Sequence, residues 1–180
     1  MIRFSAVLMF LALVSAPAMA NGSNPFRAQG NEPFWSLTMS DGIITFQPMD
    51  GEAVTVKPAP APRQEGNADI YEAAAFTLTI AGKICSDTMS GMPFPKTVTV
   101  ASGGRRFSGC GGEPASLIRR EWLITAIGGK PVVAGSSPSV AFKEGDKING
   151  NASCNRFFGG YSLTGEGLSA GPLAATKMMC

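Results

Sequence analysis

The sequence contains no histidine, and only 16% of its residues are charged. The first absence excludes Ser-His-Asp and Cys-His catalysis, imidazole metal ligands and a histidine pH switch. Scarce charge, with Lys+Arg 15 against Asp+Glu 13 and a formal net charge of +2, leaves no electrostatic footprint for a nucleic acid. No C-x-x-C pair occurs among the four cysteines, so the usual spacing of a thiolate zinc site or a thiol-disulfide catalyst is missing. The apolar run at the N-terminus, Phe4 to Val14, is well short of the roughly 20 residues that a membrane-spanning helix needs.

That run has a basic tip at Arg3 and is followed by Ser15-Ala16-Pro17-Ala18-Met19-Ala20. A basic tip, a short apolar stretch and small residues in Ala-x-Ala form a secretory signal peptide over residues 1–20, cleaved after Ala20. No cysteine follows the run closely enough to carry a lipid. The expected address is the periplasm, with secretion or envelope association as the alternative, and no integral membrane span after signal removal. An even cysteine count in an exported protein reads as disulfides. Cys85, Cys110, Cys154 and Cys180 allow three connectivities. Pairing neighbours, Cys85–Cys110 and Cys154–Cys180, closes two loops that chain entropy values at roughly 3.5 kcal/mol each. A four-thiolate metal site is the competing reading, and neither a metal nor a cofactor is expected.

Gly 22 and Pro 13 suit a turn-rich, mainly β protein. Phe34–Met39 and Ile43–Phe46 flank Ser40-Asp41-Gly42, a hairpin signal because Asp-Gly accepts positive φ. Ala53–Lys57, Ala75–Ile80 and Lys96–Val100 read as further half-buried strands. Pro58-Ala59-Pro60-Ala61-Pro62 favours an extended segment, placed as a surface loop between strands of one domain. Lys83–Pro95 reads as an irregular loop that Cys85 can pin to Cys110. A boundary is expected at 111–116, where the charge sign reverses. It separates two small β-rich modules with one disulfide each, residues 21–113 and 117–180. In the second, Glu121–Ile127 reads as an apolar strand anchored by Trp122, followed by Ser139–Phe142, Lys147–Gly150 and Tyr161–Thr164. Asn155 suits a left-handed turn after Cys154, and Gly159-Gly160 suits a bulge.

Three residues are candidates for ligand binding. Trp35 could stack on a ligand, although a tryptophan opening a strand of a small β domain also serves as a core anchor. Glu32 and Asp87 could form the paired carboxylates of a hydrolase, which needs a defined spacing between them. Asp87 beside Ser86 and Ser90 equally suits turn bonding. No catalytic residue is assigned.

The motifs of the second half carry a resemblance. Trp122-Leu123, Gly129-Lys130-Pro131-Val132, Pro138–Phe142, Asn149–Tyr161 with Cys154-Asn155 at its centre, and Gly171–Cys180 with Thr176-Lys177-Met178-Met179-Cys180 resemble the META domain of the heat-shock HslJ family. Ser153 stands where that family usually has glycine. The family continues past its Met-x-Cys stretch with a helix and further strands, so the resemblance implies an incomplete META domain over residues 117–180, and an α+β fold when complete. Gly30–Trp35, Cys85–Ser90, Pro93-Phe94-Pro95 and Gly109-Cys110-Gly111 resemble an uncharacterised family of exported bacterial domains often joined to META domains. The joint expectation is an exported, non-enzymatic envelope protein, stress-related in keeping with HslJ, with an unknown envelope protein or ligand as partner. A cell-wall-directed hydrolase, or an inhibitor of cell-wall enzymes, is the alternative.

Overall fold

The structure, a computed structural model, describes residues 24–179. The signal peptide expected at 1–20 and Cys180 lie outside the described residues. The fold is mainly β, and among the described residues a single turn of 3-10 helix, Pro114–Leu117, interrupts the strands. No helix among them is long and apolar enough to cross a membrane.

The first part builds a nine-stranded antiparallel sheet. Its strands are β1 (Phe26–Asn31), β2 (Phe34–Ser40), β3 (Ile43–Pro48), β4 (Val54–Val56), β5 (Arg63–Glu65), β6 (Ala68–Glu72) and β7 (Thr77–Ala81), with two more after a loop. The loop carries the short pair β8 (Cys85–Ser86) and β9 (Pro93–Phe94), and the chain then runs on as β10 (Lys96–Ser102) and β11 (Arg105–Gly111). The order across the sheet is β4-β3-β2-β1-β11-β10-β7-β6-β5. Asp41 and Gly42, both at positive φ, close the β2–β3 hairpin as the Asp-Gly signal requires. The proline-rich segment joins β4 to β5 at the two edges of this one sheet, and its Ala59 N–H donates to the Gly42 carbonyl at 2.7 Å.

The sheet is strongly curled. Phe46 on β3 and Phe76 beside β7 are five strand spacings apart across the sheet, about 24 Å if it were flat. Their ring centroids are 6.2 Å apart, and Phe46 also meets Phe107 of β11 at 5.1 Å and Trp35 of β2 at 6.0 Å. The curl is what lets the alternating inward residues Leu37, Ile44, Phe46, Leu78, Val98 and Val100 form one sealed core.

Two glycines in this sheet have a packing reason. Gly30 lies directly opposite Trp35, and a Cβ there would stand 2.1 Å from the indole nitrogen and 2.3 Å from the Ser108 carbonyl oxygen. The indole lies over the bare backbone, and its Nε1–H donates to the Ser108 carbonyl at 3.1 Å. Gly109 allows the equally close approach of the Gln29 carbonyl.

A separate five-stranded antiparallel sheet follows, β12 (Glu121–Leu123), β15 (Ser139–Lys143), β16 (Lys147–Ala152), β17 (Asn155–Thr164) and β18 (Gly167–Ala175), in that order. Between β12 and β15 lies the small hairpin of β13 (Ala126–Ile127) and β14 (Lys130–Pro131). Its own apolar cluster is Phe142, Ile148 and Tyr161, supported by Ile118, Val140, Phe157 and Leu163. A register shift interrupts β17–β18 pairing between Gly159 and Tyr161, at the glycine pair.

Two expectations are corrected here. Trp122 is not a buried anchor: β12 is an edge strand, the ring is 39% exposed, and Arg120 stacks on it at 4.2 Å while its Nε1–H donates to the Ile118 carbonyl. The apolar run through Ile127 is also not one strand, since β12 ends at Leu123 and Ala126–Ile127 turns away to pair with Lys130–Pro131.

The two sheets come close at the turn between β17 and β18. A Cβ on Gly165, in the turn between β17 and β18, would stand 1.5 Å from the Ser90 carbonyl oxygen in the loop before β9.

Candidate functional site

The loop between β7 and β10 lies against the outer side of the curled sheet. The Cys85–Cys110 disulfide fastens it to β11, with Cα atoms 5.4 Å apart, and the Thr97 hydroxyl donates to the Lys83 carbonyl. A cleft of about 330 Å³ opens between this loop and the end of β1, lined by Gln29, Asn31, Glu32, Asp87, Thr88 and Ser108 among others, with the disulfide in its wall.

Asp87 is the organising residue. It is 5% exposed, and its Oδ1 accepts hydrogen bonds from the Ser90 backbone N–H (2.8 Å), the Ser90 hydroxyl (2.8 Å) and the Met89 backbone N–H (3.1 Å). Its Oδ2 accepts from Asn31 Nδ2 at 3.0 Å, and the same amide group donates to the Thr88 hydroxyl at 3.0 Å. The Ser90 backbone N–H, with the Ser90 hydroxyl, Asn31 and the Met89 N–H, holds the carboxyl down at about 2 despite opposing desolvation. Both oxygens are therefore occupied, and the group stays ionised over any ordinary pH. It ties the loop to β1 and is poorly suited to give or take a proton.

This has a measurable consequence. A carboxyl lowered from 3.8 to about 2 contributes stability that is fully present above 3.8 and is lost as pH falls through about 2. Urea unfolding at pH 5, 3 and 2 should show wild type losing more stability across that window than Asp87→Asn, which cannot titrate there. Parallel pH profiles for the two proteins would refute the role given to this carboxylate.

The other two predicted site residues fare differently. Glu32 sits in the turn between β1 and β2, exposed, with no hydrogen bond or ion pair to another described residue, and it opens on the same cleft as Asp87. Trp35 is 4% exposed, its indole committed to the core and to Ser108, so it offers no face to a ligand. Asn31, which joins β1 to the loop, is not singled out by its sequence neighbourhood. Its partners are 56 and 57 residues away.

In the second sheet the recurring motif residues hold one another. Asn155 Oδ1 accepts from the Met178 backbone N–H (2.7 Å) and the Thr176 hydroxyl (3.0 Å), and its Nδ2 donates to the Met178 carbonyl at 3.4 Å. The left-handed position of this turn is Ser153, at φ 71, rather than Asn155 as expected. Cys154 is disulfide-bonded, and no described cysteine is free. Among the described residues, no group of three or more His, Cys, Asp or Glu side chains stands close enough to hold a metal ion.

Fold and site together describe a mainly β, disulfide-bearing protein with a cleft on its first sheet that holds a buried carboxylate. Residues 115–180 match the META domain family. Over 68 residues, 37% of this chain, the sequence is 37% identical to heat shock protein HslJ of Escherichia coli (strain K12). The match spans about half the length of that relative, 48%. The C-terminal part of the chain is thus similar to the META/HslJ family. No solved structure matches the chain.

Proposed function

We propose that this chain is an exported, non-enzymatic cell-envelope protein of the META/HslJ type, stress-related and binding rather than converting its ligand or partner. The observation that carries the non-enzymatic reading is the state of Asp87. The one buried carboxylate of the cleft spends both oxygens on Asn31, Met89 and Ser90. Such a group lacks the raised affinity for a proton that a general acid needs near neutral pH. Export is supported by the signal-like residues 1–20 and by the Cys85–Cys110 disulfide, which belongs to an oxidising compartment. The link to stress rests on what the HslJ relative is called.

A second reading, the cell-wall hydrolase, is favoured by one observation: Glu32 and Asp87 do open on the same cleft. One preparation tests both. The full chain, expressed in a bacterial host and fractionated, is expected in the periplasm with its N-terminus at Asn21 and the Cys85–Cys110 bond formed. A cytoplasmic product retaining Met1 overturns export. The purified chain is expected to leave isolated peptidoglycan undigested, whereas release of soluble fragments that disappears with Glu32→Gln would establish the hydrolase.

A further inference from the structure

The second sheet has two unlike faces. On one face Val140, Phe142, Ile148, Phe157 and Tyr161 pack together. The cross-strand register fixes what stands on the other. One row runs Glu121, Ala141, Asn149, Phe158, Ala174, and the adjacent row runs Leu123, Ser139, Asn151, Arg156. Residues two apart along a strand share a face, so these two rows stand side by side.

A shallow cleft of about 390 Å³ lies here, lined by Glu121, Ser139, Asn149, Asn151, Arg156 and Phe158. Phe158 is 62% exposed, with the small Ala174 beside it on the edge strand. The side chains of Glu121, Ser139, Asn149, Asn151 and Arg156 make no hydrogen bond or ion pair to any described residue, so their full capacity is available. The one carboxylate and the one guanidinium balance, leaving the cleft without net charge.

An exposed aromatic ring set among two amides, a carboxylate, a guanidinium and a hydroxyl selects a ligand with an apolar face and a rim of hydroxyls. Planar amide, carboxylate and guanidinium groups offer paired donors or acceptors that fit neighbouring hydroxyls. A few well-placed polar groups around an apolar surface is the general form of a small-molecule site. A nucleic acid would need several cations, and the cleft has only Arg156. We propose that this face is a saccharide-binding platform, on which an uncharged pyranose ring stacks against Phe158 while Asn149, Asn151, Arg156 and Glu121 hold its hydroxyls. The site is distinct from the Glu32–Asp87 cleft and is independent of the reading given to it.

The test is titration of the mature chain with maltotetraose and with the tetramer of N-acetylglucosamine, read by calorimetry, together with pelleting on insoluble peptidoglycan. Saturable binding of at least one tetramer is expected, weakened tenfold or more by Phe158→Ala and several-fold by Asn149→Ala. Phe158→Trp should preserve binding, and so should Glu32→Gln in the other cleft. Because Phe158 is solvent-facing, Phe158→Ala should leave the thermal midpoint within a few degrees of wild type. Co-pelleting would place the glycan in the wall, and binding of soluble tetramer alone would place it among free oligosaccharides. Absence of saturable binding to both tetramers overturns the proposal, as does wild-type binding that neither Phe158→Ala nor Asn149→Ala weakens.

Discussion

Trp35→Ala is expected to destabilise the protein by about 3–5 kcal/mol, the range for deleting a large buried aromatic whose cavity cannot collapse. Collapse is hindered here because Trp35 closes the core where β2, β1 and β11 meet. Phe46 packs on one side of it, and the backbone of Gly30 and Ser108 forms the floor. Trp35→Phe divides the loss into its parts. It keeps most of the apolar packing but removes the hydrogen bond from the indole N–H to the Ser108 carbonyl, a net loss of about 0.5–1.5 kcal/mol. Gly30→Val should be at least as damaging as Trp35→Phe, since a side chain on Gly30 must occupy the space the indole nitrogen holds. Urea unfolding of the three variants, with the disulfide intact, gives the ordering. A loss below about 1 kcal/mol for Trp35→Ala would mean that the indole is not the keystone of this core.

What could be read in advance follows from the physics of each segment. β2, β3, β7 and β10 alternate β-branched or aromatic residues with polar ones, so their inward faces are visible in the sequence alone. β1 and β11 do not announce themselves. Their inward positions include Ala28, Gly30 and Gly109, where a neighbouring side chain or backbone supplies the bulk, and alternation of large residues is lost. β18 is exposed along its whole length, with small residues and Pro172, and lacks a hydrophobic period for the same kind of reason: nothing described packs against it but β17. Trp122 shows the limit of reading a residue type. A tryptophan at the head of an apolar run predicts burial, but whether its strand is central or at an edge is a property of the whole sheet.

The site was legible residue by residue and not as an assembly. Glu32 and Asp87 are recognisable as unusual acids near glycine and proline. Their meeting in one cleft depends on the disulfide drawing the loop to β11, and the fate of Asp87 depends on Asn31. Likewise Asn155 reads as a turn former from its chemistry. The structure instead uses its amide as a clasp on Thr176 and Met178, 21 and 23 residues away, and leaves the positive φ to Ser153.

The same dependence makes the Cys85–Cys110 bond the second large lever. Cys110→Ser is expected to cost roughly 3.5 kcal/mol, the chain-entropy value for a closed loop of this size, within the wider range of about 2–5 kcal/mol for native disulfides. The two cysteines are 25 residues apart and enclose β8, β9, β10 and most of β11, so the unfolded chain gains its freedom within the first sheet. The second sheet should feel little of it away from the point where Ser90 abuts Gly165. Hydrogen exchange should therefore rise in residues 83–95 and along β1, and change in the second sheet chiefly around the 164–167 turn. Asp87 fastens the same loop to β1 two residues beyond Cys85, so the cost of Asp87→Asn should shrink once the disulfide is gone. A double-mutant cycle of Cys110→Ser with Asp87→Asn is thus expected to be sub-additive by about 0.5 kcal/mol or more. Strict additivity would mean that the carboxylate clasp and the disulfide hold different structures, and that the cleft is not assembled by the loop as a unit.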